Sequence, residues 1–257
     1  MLQLHELTAG YGRNLVLRNI TAAIPAGKVT VILGPNGCGK STLLKSICGI
    51  LPAKGRAMLD GEDLLSMPAQ RRAEKTAYLA QGQQVPQITV GRLVLHGRFP
   101  YLSYPRQYRR EDYKAARDAM EQMEILELAQ LPLAQLSGGQ RQKVYIAMAL
   151  AQDAQIVLLD EPTTFLDAAH QLQLMDLAKA LTDRGKTVVM VLHDLPLALQ
   201  TADHILLMES GAIVASGAPE TVFTTGEIDR VFGIRLRQIQ MDGHWQYFVR
   251  GSRRAGE

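Results

Sequence analysis

Five consecutive apolar or β-branched residues, Val29 to Leu33, run into Gly34-Pro35-Asn36-Gly37-Cys38-Gly39-Lys40-Ser41, and helix-forming residues follow from Ser41 and Thr42 to Ile47. The order is buried strand, glycine-rich loop, helix. Glycines at those positions let successive backbone N–H groups turn inward around anionic oxygens, where side chains would clash. Lys40 then brings an ammonium to the β- and γ-phosphates, Ser41 offers a hydroxyl to Mg²⁺, and the helix directs its positive N-terminal end at the same charge. A ligand-free glycine turn leaves Lys40 and Ser41 unexplained together. The loop therefore implies a nucleoside triphosphate, ATP or GTP, held by Gly34 through Thr42.

Phosphoryl chemistry also needs a metal-holding acid and a group that activates water. Residues 156–159 read as a second buried strand, and it ends in Asp160-Glu161. The first acid suits Mg²⁺. Glu161, one position beyond, is the candidate general base that polarises the attacking water. A third strand, 187–192, ends at His193, which could touch the γ-phosphate or the water. That position lies at the carboxyl end of a core strand, where α/β sheets bind ligands.

The rest of the chain supports one α/β unit with an insertion. Residues 2–32 alternate and break at Gly10, Gly12, Pro25 and Gly27, which predicts antiparallel strands. Residues 111–128 and 140–152 have helical spacing and form a mainly helical insert, and a further helix is expected over 168–181. No internal repeat, low-complexity tract or sustained heptad is present, and the tail from Arg250 is expected to be loose.

The 257 residues carry two cysteines, too few for a disulfide framework, and a net charge of only +3. A reducing compartment fits best. The N-terminus lacks the basic start and apolar run of a secretory signal. No apolar stretch approaches the roughly 20 residues that span a bilayer, so any membrane role is expected to be peripheral. Arg98, Arg106, Arg109 and Arg110 flank the aromatic stretch 99–104, which reads as a partner surface or an exposed loop.

Leu136-Ser137-Gly138-Gly139-Gln140 opens the helix over 141–152, so Ser137 and two glycines sit at a helix N-terminus, an anion-binding position. The chain already has a loop for its own nucleotide. A second phosphate site points to the nucleotide of a partner.

With these motifs in this order, the sequence resembles the ATP-binding-cassette (ABC) ATPases over about residues 2–232. The resemblance implies an α/β fold: a phosphate-loop, RecA-like core with an N-terminal antiparallel β-sheet and an inserted α-helical subdomain. It implies an ATPase domain over 1–238, with a core lobe at about 1–85 and 155–238 and the helical subdomain at about 86–154. A short extension would occupy 239–257.

By the same resemblance, Tyr11 stacks on adenine, Gln81 reaches Mg²⁺ and the permease, and Asp167 is a dimer contact. Ser137, Gly138, Gly139 and Gln140 would meet the partner's ATP. The implied assembly is a homodimer of ATPase subunits on integral membrane permease subunits, indirectly served by a substrate-binding protein. It would sit on the cytoplasmic face of the inner membrane. Gly97-Arg98-Phe99-Pro100-Tyr101, Pro162-Thr163-Thr164-Phe165-Leu166-Asp167 and the separate tail resemble subunits that serve ferric-siderophore, haem and vitamin B12 importers, with ferric siderophore favoured.

A soluble cassette ATPase acting on nucleic acid or ribosomes is the alternative, although the chain lacks the paired cassettes, coiled coils or zinc cysteines such proteins tend to carry. An export ATPase usually has fused membrane helices. Cys38 stands where serine is common, and Thr164-Phe165 replace a more usual Ser-Ala. Cys38, beside Lys40 at a helix N-terminus, is expected to have thiolate character, with alkylation blocking ATPase activity and ATP protecting.

Overall fold

The computed structural model describes residues 1–80, 85–164, 166–241 and 243–250. They fall into two compact units, Met1–Leu65 with Val189–Glu257, and Ser66–Val188. The first is therefore built from both ends of the chain.

In the first unit, β1 (Leu2–Tyr11) and β2 (Asn14–Ile24) pair antiparallel through a tight turn at Gly12. β3 (Val29–Leu33) then runs into the loop, and α1 (Lys40–Ile47) follows. All five residues of β3 are buried, as a strand covered on both faces requires. Leu43, Leu44 and Ile47 of α1 are fully buried at helical spacing, each contributing about 2 kcal/mol of apolar burial. β4 (Ala53–Leu59) and β5 (Glu62–Asp63) complete an antiparallel sheet of order β2-β1-β4-β5.

The chain then builds the second unit with α2 (Ala69–Lys75), β6 (Thr76–Leu79), α3 (Val90–His96), α4 (Arg110–Gln122), α5 (Gly138–Ala151), β7 (Ile156–Asp160) and α6 (Ala168–Asp183). β6 and β7 pair in parallel, with Thr76 opposite Ile156 and Leu79 opposite Leu159. Between residues 90 and 151 the named elements are α3, α4, α5 and short 3-10 turns, in keeping with a mainly helical insert. The predicted 111–128 helix is interrupted, however. α4 stops at Gln122, Glu124 takes a left-handed backbone at φ 55°, and a short 3-10 turn covers Leu126–Leu128.

Arg98 ties the helical segment together. Its Nε donates to Asp112 Oδ1 at 3.0 Å, its Nη1 donates to the Ala151 carbonyl at 3.0 Å, and its guanidinium lies 3.9 Å from the Tyr101 ring centroid. Of the arginines flanking the aromatic stretch, this one is an internal brace, with its side chain only 13% exposed.

β8 (Thr187–Val191) carries the chain back to the first unit, where α7 (Leu195–Thr201), β9 (His204–Glu209), β10 (Ala212–Gly217), α8 (Pro219–Thr224) and α9 (Glu227–Phe232) follow. β9 lies parallel to β3, pairing Thr30 with His204, and antiparallel to β10. The last described element is a hairpin of β11 (Arg235–Met241) and β12 (His244–Arg250), in a stretch for which the sequence reading named no strand; Arg250, expected to start a loose tail, ends β12. Leu236 and Tyr247 on one face are buried, Tyr247 making an edge contact with Phe223. Residues 251–257 of the expected loose tail lie outside the described residues.

Candidate functional site

The loop after β3 has the backbone its glycines predict. Gly34, Gly37 and Gly39 have φ of 154°, 78° and 110°. At Gly34 a Cβ would lie 2.3 Å from the Met208 carbonyl oxygen, so glycine is required by space as well as by conformation. Lys40 opens α1 and folds back across the loop. Its Nζ donates to the carbonyls of Gly34 at 2.7 Å and Pro35 at 2.9 Å, with the residue 5% exposed. Two carbonyls thus hold the ammonium over the loop. Asn36 and Gly37 are exposed, Pro35 and Ser41 half-buried, and Cys38, Gly39 and Thr42 buried.

Gly211, in the turn from β9 to β10, supports this loop and was not foreseen. Its N–H donates to the Cys38 carbonyl at 3.0 Å, and its own carbonyl accepts from Arg18 N–H at 2.9 Å. With φ 81° and only 1.9 Å between a would-be Cβ and the Val16 oxygen, only glycine fits. The sequence signal was an ordinary Ser-Gly turn.

Cys38 corrects an expectation. The thiol is buried, and loss of solvent raises its pKa more than the neighbouring Lys40 ammonium lowers it. Thiolate character is therefore disfavoured. Elsewhere in the first unit, Tyr11 ends β1 half-exposed, and His193 is exposed between β8 and α7, whose N-terminus Asp194 caps through Leu197 N–H at 2.9 Å.

In the second unit, Asp160 ends β7 with 2% exposure, and Tyr78 of β6 donates its O–H to Asp160 Oδ2 at 3.0 Å. Glu161 follows with φ 52°, a left-handed backbone that costs a non-glycine residue roughly 1–2 kcal/mol. Gln142, on α5, donates through Nε2 to the Pro162 carbonyl at 3.0 Å. Neither Tyr78 nor Gln142 belongs to the motifs that pointed to the site.

At the other end of α5, Ser137 is the N-cap. Its Oγ accepts from Gln140 N–H at 3.2 Å, and Gln140 Oε1 accepts from Ser137 N–H at 3.0 Å. This reciprocal pair fixes the helix tip. Ser137 and Gln140 are exposed, and Gly138 and Gly139 half-buried. Asp167 caps α6, and hydrogen bonds from the His170 N–H and ring hold its carboxyl below the usual carboxylate range. Gln81 lies outside the described residues, as does Phe165.

In the second unit Asp160 offers a buried carboxylate, and in the first Ser41 offers a half-buried hydroxyl; oxygens of these kinds are ligand types that Mg²⁺ takes.

A strand, a phosphate-cradling loop with its inward-folded lysine, and a helix define a nucleotide-binding α/β protein. The chain belongs to the ABC transporter family, whose model matches residues 17–164. It is 45% identical to the achromobactin transport ATP-binding protein CbrD of Dickeya dadantii, over 91% of this chain and 88% of that protein. It is 44% identical to the ferric enterobactin transport ATP-binding protein FepC of Escherichia coli, with the same coverage.

Among solved structures, an ABC transporter of provisional metal-chelate type in an inward-facing conformation superposes with a TM-score of 0.83 at 25% identity, covering 98% of each chain. The dimeric bacterial cassette MJ0796 gives 0.76 at 30% identity, over 85% of this chain and 99% of that one. The chain is thus an ATP-binding and ATP-hydrolysing cassette subunit.

Proposed function

We propose that this subunit energises uptake of a ferric siderophore through a separate membrane permease. Two copies would enclose two ATP molecules. The observation that carries the two-copy reading is that one chain bears two helix N-termini fit for phosphate, at Lys40 of α1 and at Ser137 of α5. One serves its own triphosphate and the other is left for a partner's. A related cassette with a dimeric structure and relatives named for achromobactin and ferric enterobactin transport support the reading.

In this scheme Gly34 to Thr42 cradle the phosphates and Lys40 neutralises the β- and γ-oxygens. Tyr11 stacks on adenine. Glu161 accepts the proton of the attacking water, and His193 steadies the γ-phosphate. Asp160, Ser41 and Gln81 would hold Mg²⁺, which when bound offsets charge on the β- and γ-phosphate oxygens. Ser137, Gly138, Gly139 and Gln140 of one copy meet the ATP of the other, with Asp167 at the contact. ATP would favour the closed pair because the phosphate contacts exist only there.

No helix among the described residues is long and apolar enough to cross a membrane. The subunit would associate peripherally, at the cytoplasmic face, with a substrate-binding protein delivering cargo from the other side.

Glu161→Gln tests the scheme. Gel filtration with ATP and Mg²⁺ should give a dimer that binds nucleotide without turning it over, and a persistent ATP-bound monomer would refute the two-copy reading. Ser137→Arg should abolish turnover by the assembled transporter while sparing ATP binding. Purification from membranes should bring an integral permease, and reconstituted vesicles should take up ferric siderophore in preference to haem or vitamin B12.

A further inference from the structure

We propose that Gln142 is a positioning residue that ties the turn carrying Glu161 to the helix whose tip carries Ser137, so that each nucleotide site senses the other. The inference rests on the two-copy reading above.

Three observations within the second unit lead there. First, Gln142 is half-buried on the opening turns of α5, and its Nε2 donates to the Pro162 carbonyl at 3.0 Å. Second, Pro162 is buried and follows Glu161 directly, whose φ is 52°. A proline favours extended backbone at the residue before it, so Glu161 is held in a conformation disfavoured both by its own Cβ and by its neighbour. Such a conformation persists only where the surroundings over-determine it. The turn is closed locally by Thr164 N–H donating to the Glu161 carbonyl at 3.3 Å, a long bond, and Gln142 adds a shorter one from another element.

Third, Gln142 and Ser137 share one helix. They lie five positions apart, about 7.5 Å along the axis, and the capping pair of Ser137 and Gln140 makes that first turn rigid. A displacement of the tip therefore reaches the Gln142 amide with little loss. When the partner's nucleotide draws on Ser137, α5 shifts, and the Pro162 carbonyl with its preceding Glu161 follows. The reverse holds by linkage, because coupling between two binding equilibria is reciprocal.

The test uses the full chain assembled with its permease. Gln142→Met keeps length and removes the donor, whereas Gln142→Lys restores one. ATP turnover by the wild type should be cooperative, with a Hill coefficient approaching 2, the number of sites. In Gln142→Met the coefficient should fall to about 1, and kcat should drop about tenfold with KM changed less than about twofold, as for loss of an alignment used only in the chemical step. Gln142→Lys should recover both.

A residue that merely supports folding would lower the amount of active protein and leave the coefficient alone. A wild-type coefficient of 1, or an unchanged coefficient in Gln142→Met, overturns the proposal. Gel filtration of Glu161→Gln with ATP, with and without Gln142→Met, separates the two levels. A dimer in both with unchanged cooperativity removes only the role of Gln142. The lack of a dimer even with Gln142 intact removes the two-copy reading and this inference together.

Discussion

The phenolic O–H of Tyr78 donates to Asp160 Oδ2 at 3.0 Å, from one strand to the end of its parallel neighbour. An outer hydrogen bond of this kind fixes how a carboxylate presents itself, and its loss typically weakens metal binding 10–100-fold. Tyr78→Phe should therefore raise the Mg²⁺ concentration needed for half-maximal ATP turnover by about tenfold. A magnesium titration of the variant that overlays the wild type would remove this role from Tyr78.

Arg98 and Asp112 form an ion pair with side chains only 13% and 8% exposed, and Asp112 Oδ2 also accepts the Arg109 N–H at 2.9 Å. Removing one partner strands the other charge out of water. Asp112→Ala should destabilise the protein by about 3–5 kcal/mol, measured by denaturant unfolding. In a double-mutant cycle, Arg98→Met with Asp112→Ala should recover part of that loss.

Gly211→Ala places a methyl group 1.9 Å from the Val16 oxygen at a φ of 81°, so the β9–β10 turn must move. That turn donates the hydrogen bond to the Cys38 carbonyl. The variant should lose about 1–3 kcal/mol of stability and bind a fluorescent ATP analogue several-fold more weakly. Normal affinity in the folded variant would show that the phosphate loop stands without this support.

Because burial raises the Cys38 pKa, a smaller fraction of the thiol is ionised at neutral pH than for a free cysteine, and thiolate is the reacting form. Alkylation of the folded protein should be slow at pH 7. Its rate should still climb between pH 9 and 10, a range in which an ordinary thiol of pKa about 8.5 is already levelling off. Rapid modification at pH 7, read by mass spectrometry, would contradict the buried thiol.

The legible parts of this molecule are those whose chemistry is local in sequence. β3, its loop and α1 were readable because strand, glycines, Lys40 and helix are contiguous, and the tip of α5 was readable because Ser137, Gly138, Gly139 and Gln140 are consecutive. Tyr78 and Gln142 were not readable. Their partners lie 82 and 20 residues away, and neither has an unusual neighbourhood in the chain.

Gly211 was hidden for the same reason, since its two bonds join Arg18 and Cys38. The hairpin of β11 and β12 was missed because its outward face mixes Arg237, Ile239, Met241 and Phe248 and breaks the alternation that marks a strand. The error at Cys38 was electrostatic. The neighbouring charge is visible in sequence, whereas the loss of solvent that outweighs it depends on tertiary packing.

β3 pairs with β9 along one edge, so on that edge Thr30 waits for His204. At about 5–20 residues per second, a ribosome needs on the order of 10–35 s to synthesise the intervening chain. For that interval β3 has been made and lacks β9, one of its two strand neighbours, whereas β8, the other, and the contiguous unit 66–188 are complete earlier. The vulnerable stage in producing this protein is thus the end of translation, and slow synthesis or truncation before β9 should send the nascent chain to chaperones or aggregates.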